Sequence, residues 1–371
     1  MDFSFTEEQE DLRGLVKRIL EDKLTEERMR EVEAGTERFD RDTWAALAKA
    51  NVLGIALPAD VGGSGYGILE QCIVLEQVGR TVAPVPVLAS IVMGAAPIAE
   101  FGTTEQKAAW AAPAADGDKI LTAALVEPLN REPAAPSTRA ERDGDGWRLT
   151  GVKTCVPAGT IAELFLVPAS TDGGVGVFLV EPGADRLTIE RQLTSNKESE
   201  ARLTLDGVTV GPDALLGDVA SGAEIVRWIV RRATLGLVAT QLGVTRKALE
   251  MTAEYAKTRV QFDRPIATFQ AVGQRCADAY IDVQGIELTL LQAAWKLSAG
   301  HDADVDIEVA KFWAADAGHR VAHTAVHIHG GVGIDVDYPL HRYFVAAKKN
   351  EFTLGGATEQ LLRIGAAMAA P

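Results

Sequence analysis

His319, His323, His327 and His329 are the first residues whose type and spacing could do chemistry. The first three recur at i, i+4 and i+8, so a helix would set them on one face, as metal ligands are sometimes set. No cysteine or carboxylate completes a closed ligand set with them, and we expect no metal. Cys72, Cys155 and Cys276 lie far apart without CxxC spacing, which argues against a zinc ribbon and a disulfide framework. Arg259 offers a rigid fork of donors that suits paired anionic oxygens. The formal net charge is −15, so an anionic ligand must be gripped by such local donors. The same balance argues against DNA, RNA or anionic membrane as partners through bulk charge.

These residues need elements to position them. The 371 residues exceed one ordinary core and suggest two or three packed units. Thr6 and Gln9 have capping-box spacing, and Leu12, Leu15, Val16, Ile19 and Leu20 follow as one helical stripe. A second amphipathic stretch covers Trp44–Ala50, and helical pattern resumes from Leu69 to about Phe101. Near Lys119 the pattern changes to short apolar runs between turns: Ile120–Val126, Trp147–Val156, Leu164–Pro168, Val175–Val180, Leu187–Leu193 and Leu203–Val210. Asp143-Gly144-Asp145-Gly146 predicts a hairpin and Asp206-Gly207 a turn, while 128–137 reads as a loose loop. Long helices are then predicted over Ile225–Arg259, Phe269–Leu297 and Val305–His327, with Pro265 and Gly330-Gly331 as stops. The expected class is α+β: a helical domain over 1–118, a β domain over 119–217 and a helical domain over 218–371. The acidic start MDFSFTEEQEDL lacks an apolar signal core, and no run nears the roughly 20 apolar residues of a membrane span. A cytoplasmic protein is expected.

This order, and five segments within it, resemble the acyl-CoA dehydrogenase superfamily along nearly the whole chain. The segments are 57–65 (LPADVGGSG), 147–153 (WRLTGVK), 215–223 (LLGDVASGA), 259–270 (RVQFDRPIATFQ) and 325–333 (AVHIHGGVG). The resemblance implies α,β-dehydrogenation of an acyl-CoA thioester: a Glu removes the α proton and FAD takes a hydride from the β carbon. It further implies that Arg259, Gln261, Phe262, Gln270, His327, Gly330 and Gly331 reach across a dimer interface to a partner subunit's FAD. Read without it, Arg259 is a helix-end cation and the glycine pair a C-cap.

The sequence also departs from the family. The catalytic Glu of the Tyr-Glu-Gly-Thr type motif is Gly355 here, and the alternative base position on the first long C-terminal helix is Ala233. The family's Thr-Glu-Pro-Gly-x-Gly-Ser stretch reads Val126-Glu127-Pro128-Leu129-Asn130-Arg131-Glu132, and its Trp-Ile-Thr reads Cys155-Val156-Pro157. Pro lacks an N–H and Val a hydroxyl, so two donors to the chain's own flavin are lost. The family's Thr and Gln for that same flavin are Ala357 and Glu359. Cys155 reads as a small buried hydrophobe.

Residues facing a neighbour's FAD are kept, while the base and the residues facing the chain's own FAD are gone. This asymmetry resembles the non-catalytic chains of heteromeric steroid-type acyl-CoA dehydrogenases from actinobacteria, which pair with a base-bearing paralogue as α2β2. The expected function is therefore a subunit with no catalytic residue that contributes to an FAD site in trans. The acyl-CoA substrate, by analogy with a steroid side chain, would be held in the complex. Two alternatives are a self-sufficient homo-oligomeric enzyme with a relocated base such as Glu359, and a flavin-free scaffold.

Overall fold

The computed structural model describes residues 3–369. The chain opens with α1 (Glu7–Lys23), α2 (Glu26–Ala34), α3 (Arg41–Lys49) and α4 (Ile68–Thr81). The expected capping box starts α1: Thr6 Oγ1 accepts from Gln9 N, and the Gln9 side chain accepts from Thr6 N. Asp40 caps α3 by accepting from Asp42 N and Thr43 N. The helix predicted to run from Leu69 to Phe101 is interrupted after Thr81. It resumes as a π-helical turn at Leu88–Ala95, followed by α5 (Ala96–Phe101), α6 (Thr104–Gln106), a second π-helical turn at Lys107–Ala111, and α7 (Ala112–Ala115).

The strands are β1 (Leu121–Ala123), β2 (Arg139–Asp143), β3 (Gly146–Val156), β4 (Leu164–Thr171), β5 (Gly174–Val180), β6 (Leu187–Gln192), β7 (Glu200–Val210) and β8 (Leu215–Leu216). They form one sheet in the order β6-β7-β3-β2-β4-β5-β8, with β1 beside β4 in parallel. Alternating residues face one core, centred on Trp147, Phe165, Phe178, Leu203 and Val208. The Trp147 and Phe178 rings meet edge to face at 5.3 Å. Each such side chain contributes about 1.5–3 kcal/mol by leaving water. The predicted hairpin joins β2 and β3, with Asp143 opposite Gly146.

Asp206-Gly207 is not a turn. Both residues lie inside β7, at a register shift against Leu149 and Thr150, so the extra residue makes a bulge. The segment 128–137 is not loose either. The buried Glu127 carboxylate accepts from Ser137 N (2.5 Å), Thr138 N (2.9 Å) and Asn130 Nδ2 (3.1 Å), pinning both ends of the loop.

The C-terminal helices are α8 (Gly222–Thr258), α9 (Gln270–Ser298), α10 (Asp304–His329), α11 (Leu340–Phe352) and α12 (Ala357–Ala369). Between α8 and α9 lies a small hairpin of β9 (Val260–Gln261) and β10 (Arg264–Pro265). Pro265 therefore ends no helix; α8 stops at Thr258, before the hairpin. Among the described residues no helix is long and apolar enough to cross a membrane.

The chain divides into two compact units. One holds the segment up to Glu26, Ile68–Ala83 and everything from Thr234 onward; the other holds Glu27–Gly67 and Pro84–Ala233, the sheet included. The first unit contains a half-buried charge network in which Arg246 pairs with Glu76 and Glu287. It also contains an apolar cluster of Val244, Ala248, Ala322, Leu340 and Tyr343.

Candidate functional site

All seven residues expected to face a cofactor lie in the first unit. Arg259 follows directly on α8, its N–H donating to Tyr255 O at 2.8 Å. Its side chain is exposed, and among the described residues the guanidinium makes no hydrogen bond or ion pair. The fork of donors is free for an anion. Gln261 closes β9 and pairs with Arg264. The two turn residues, Phe262 and Asp263, have φ of +54° and +63°. Type I′ hairpins require both of these signs, yet a phenylalanine adopts them at a cost of about 1 kcal/mol or more. The strain carries the Phe262 ring outward, 86% exposed, against the edge of Phe269 at 6.1 Å. Gln270 opens α9 and is exposed.

His327 and the glycine pair lie at the C-terminal end of α10. Gly330 caps α10 at φ +64° and ψ −143°, a region essentially closed to residues with a Cβ. A Cβ placed on Gly330 or Gly331 would meet no atom within 4 Å, so a ligand can approach the backbone there. His327 is exposed and lines a groove of about 1040 Å³ between α9 and α10, together with Gln274, Arg275, Asp278 and Arg320. Forked donors, an outward ring and open backbone fit a dinucleotide pyrophosphate and its adenosine.

Sequence reasoning singled out His329 but gave it no partner. It is buried and stacks on Tyr255, with ring centroids 4.2 Å apart and planes 24° apart. Burial pushes its imidazole below the ordinary pKa, against the hydrogen bond to Ala325 O. The available signal was Tyr255, one helical turn before Arg259. The remaining histidines have other partners. His319 Nδ1 lies 2.9 Å from Lys348 Nζ and 3.1 Å from Glu351 Oε2. His323 is lowered by burial and by the neighbouring His319 and Lys348 charges. No group of three His, Cys, Asp or Glu among the described residues could hold a metal ion.

Neither base position holds a proton acceptor. Ala233 is fully buried in α8, between Arg232, which lies over the Trp228 ring at 3.7 Å, and Thr234. Gly355 has φ +98°, and a Cβ there would meet Gln360 Nε2 at 2.6 Å and Glu359 Cδ at 3.0 Å. The Gln360 amide donates to Leu354 O and Gly355 O, which fixes that turn. Glu359 is paired with Arg363 at 3.0 Å, and Arg363 also reaches Glu308 at 3.5 Å. Burial raises the Glu308 carboxyl, with Arg363 opposing the rise.

In the other unit, the strand end that would face the chain's own flavin is satisfied from within. Gln192 Oε1 accepts from Cys155 N at 2.6 Å and from Thr154 Oγ1 at 3.0 Å. Thr122 Oγ1 donates to Pro157 O at 2.7 Å, and Val156 is buried. Cys155 is exposed, at φ +48°, and is not the buried hydrophobe expected. Beneath this segment Lys153 Nζ meets Glu127 Oε1 at 2.6 Å, both side chains being almost wholly buried. Burial would raise the Glu127 carboxyl, but Lys153 and the Thr138 hydrogen bonds hold it well below the usual range. Burial draws the Lys153 ammonium down, against the pull of Glu127. Among the described residues, the Cys155 N–H and the Thr154 hydroxyl on this strand end are therefore already engaged by Gln192.

Comparison with known proteins agrees with this architecture. The acyl-CoA dehydrogenase N-terminal domain profile matches residues 6–118, and the acyl-CoA dehydrogenase C-terminal domain profile matches 220–369. Acyl-CoA dehydrogenase FadE27 of Mycobacterium tuberculosis is 47% identical over 377 residues, covering 100% of this chain and 99% of that protein. The crystal structure of the ChsE4–ChsE5 complex from Mycobacterium tuberculosis is similar at 48% identity and TM-score 0.95, with 100% of both chains covered. A Tcur3481–Tcur3483 steroid ACAD variant is similar at 42% identity and TM-score 0.91, with 98% of both chains covered. With helical, β and helical parts in family order and relatives matched end to end, the chain belongs to the acyl-CoA dehydrogenase family, whose members bind FAD.

Proposed function

We propose that this chain is the non-catalytic subunit of a heteromeric FAD-dependent acyl-CoA dehydrogenase. In this reading it pairs with a base-bearing paralogue, as α2β2, and supplies half the contacts of the partner's FAD. The observation that carries the reading is the turn at Gly355. The family's base position has no titratable group and sits at a φ of +98° that disfavours any side chain, and a base within reach is a geometric requirement for removing an α proton. The arrangement at Cys155-Val156-Pro157 and Gln192 supports a vacant flavin site of the chain's own.

FAD accepts the hydride when bound. The roles left to this chain are to bind and orient. Arg259 would neutralise pyrophosphate oxygens through its fork. Phe262 would cover the cofactor, Gln261, Gln270 and His327 would offer polar contacts, and the open backbone at Gly330 and Gly331 would admit close approach. The likeness to the ChsE4–ChsE5 complex and to Tcur3481–Tcur3483 supports a heteromeric partner. The likeness to the Tcur3481–Tcur3483 steroid ACAD supports an acyl-CoA with a steroid side chain as substrate of the complex.

The test is stoichiometry. The chain is co-expressed with a base-bearing paralogue, and released flavin is measured against protein mass. One FAD per two chains is expected. Two FAD per heterodimer, or stoichiometric FAD with turnover in the chain alone, would overturn the reading.

A further inference from the structure

Two separate segments carry the residues that would face FAD: Arg259–Gln270 between α8 and the start of α9, and His327–Gly331 at the end of α10. The ring pair Tyr255–His329 lies directly behind both. Tyr255 is one turn before Arg259, and its carbonyl accepts the Arg259 N–H. His329 immediately precedes Gly330, whose φ of +64° redirects the chain. The stacked rings are 4.2 Å apart, and Tyr255 Oη is 3.5 Å from His329 O.

The imidazole is also fixed at both nitrogens. Nδ1 lies 2.8 Å from Ala325 O, and a carbonyl only accepts, so Nδ1 carries the proton. Nε2 is then the acceptor for the Tyr338 O–H at 3.3 Å. This pattern needs a neutral ring, and burial favours one. A ring held at its face and both nitrogens cannot turn without breaking several contacts.

We propose that His329 is a positioning residue, which with Tyr255 and Tyr338 clamps the Arg259 segment to the Gly330–Gly331 turn so that FAD meets one preformed surface. The clamp rests on the half-site reading above. His329 touches no cofactor; it acts by lowering the freedom that Arg259 and the turn must give up on binding.

The experiment uses the complex with its partner chain, stripped of FAD and titrated with FAD by flavin fluorescence, with mass-resolved gel filtration on every variant. His329→Leu fills the site without a ring, whereas His329→Phe keeps the stack on Tyr255. His329→Leu is expected to weaken FAD binding by about tenfold, the scale of one lost aromatic pair, and His329→Phe by no more than about threefold. Tyr255→Leu and Tyr255→Phe should repeat that contrast. Equal FAD affinity in the Leu and Phe variants overturns the clamp, as does failure of the Leu variants to assemble, because the role is then core filling. Arg259→Ala is run beside them. If it loses affinity and His329→Leu does not, only the clamp fails; if Arg259→Ala also binds normally, the half-site reading itself fails.

Discussion

Tyr255 and His329, 74 residues apart in sequence, stack face to face at 4.2 Å and so join the two segments that would grip a partner's FAD. Tyr255 lies outside the motifs that would face the cofactor, and His329 lies within one of them but is buried behind its surface. In the proposed clamp this stack, with His329 buried and Tyr255 half-buried, would hold the two segments in register before any cofactor arrives.

Arg259→Ala in the complex should weaken FAD binding by roughly tenfold or more, the scale of a lost charge-assisted contact of about 1.5–3 kcal/mol. Arg259→Lys should recover only part of it, because an ammonium lacks the fork. Gel filtration should show the assembly intact, and added FAD should restore turnover. FAD retention equal to that of an alanine variant at an exposed arginine such as Arg227 would leave Arg259 as a helix-end cation.

The chain purified alone should carry little flavin absorbance and show no dye-linked turnover. Within the complex, Glu359→Gln and Glu308→Gln should leave kcat within about twofold, since catalytic loss of a true base is on the order of 100-fold or more. Glu359 is tied to Arg363, and Glu308 meets the same guanidinium. A large loss of kcat from either substitution would move a base into this chain.

Restoring the family residue should not restore chemistry. Gly355→Glu places a Cβ at φ +98° against Gln360 Nε2 and Glu359. The left-handed backbone and the crowding together should cost about 2–4 kcal/mol. The melting temperature should fall and turnover should not rise. A stable variant that doubles the active-site count, measured by flavin reduction with substrate, would show that the turn can open.

Lys311 gives a pH signature. It is fully buried on α10, and its Nζ donates to Asn350 O at 3.0 Å and Glu351 O at 3.1 Å, capping the end of α11. Burial pulls its pKa from 10.5 down to about 7, against the attraction of Glu351 and Glu308. The unfolded chain therefore binds more protons between about pH 7 and 10.5, so this group makes stability rise with pH through that window and fall as pH drops back toward 7. The slope should be roughly 1 kcal/mol per pH unit. Denaturant titrations at pH 7, 8 and 9 should show that slope reduced in Lys311→Met relative to the parent chain. Parallel curves would mean that the buried amine stays charged.

The sequence by itself determined the order of helices and strands, because apolar period and turn residues are local properties. It placed the capping box at Thr6 and Gln9 and the hairpin at Asp143–Gly146. Through matched motifs it also named the family, and it supplied the proposal of an empty base position at Gly355 and of seven residues for a half-site. It misread Asp206-Gly207, because a bulge and a turn use the same residue types and only the strand partner distinguishes them. It misread 128–137 as loose, because the Glu127 carboxylate that pins it is aligned by β3 through Lys153. It placed Cys155 inside, where a positive φ turns the thiol out. The Tyr255–His329 stack and the occupation of the Cys155 amide by Gln192 were decided only by tertiary structure. Each joins residues on different elements, and no periodicity along one element encodes which ring or carboxamide will meet it across space.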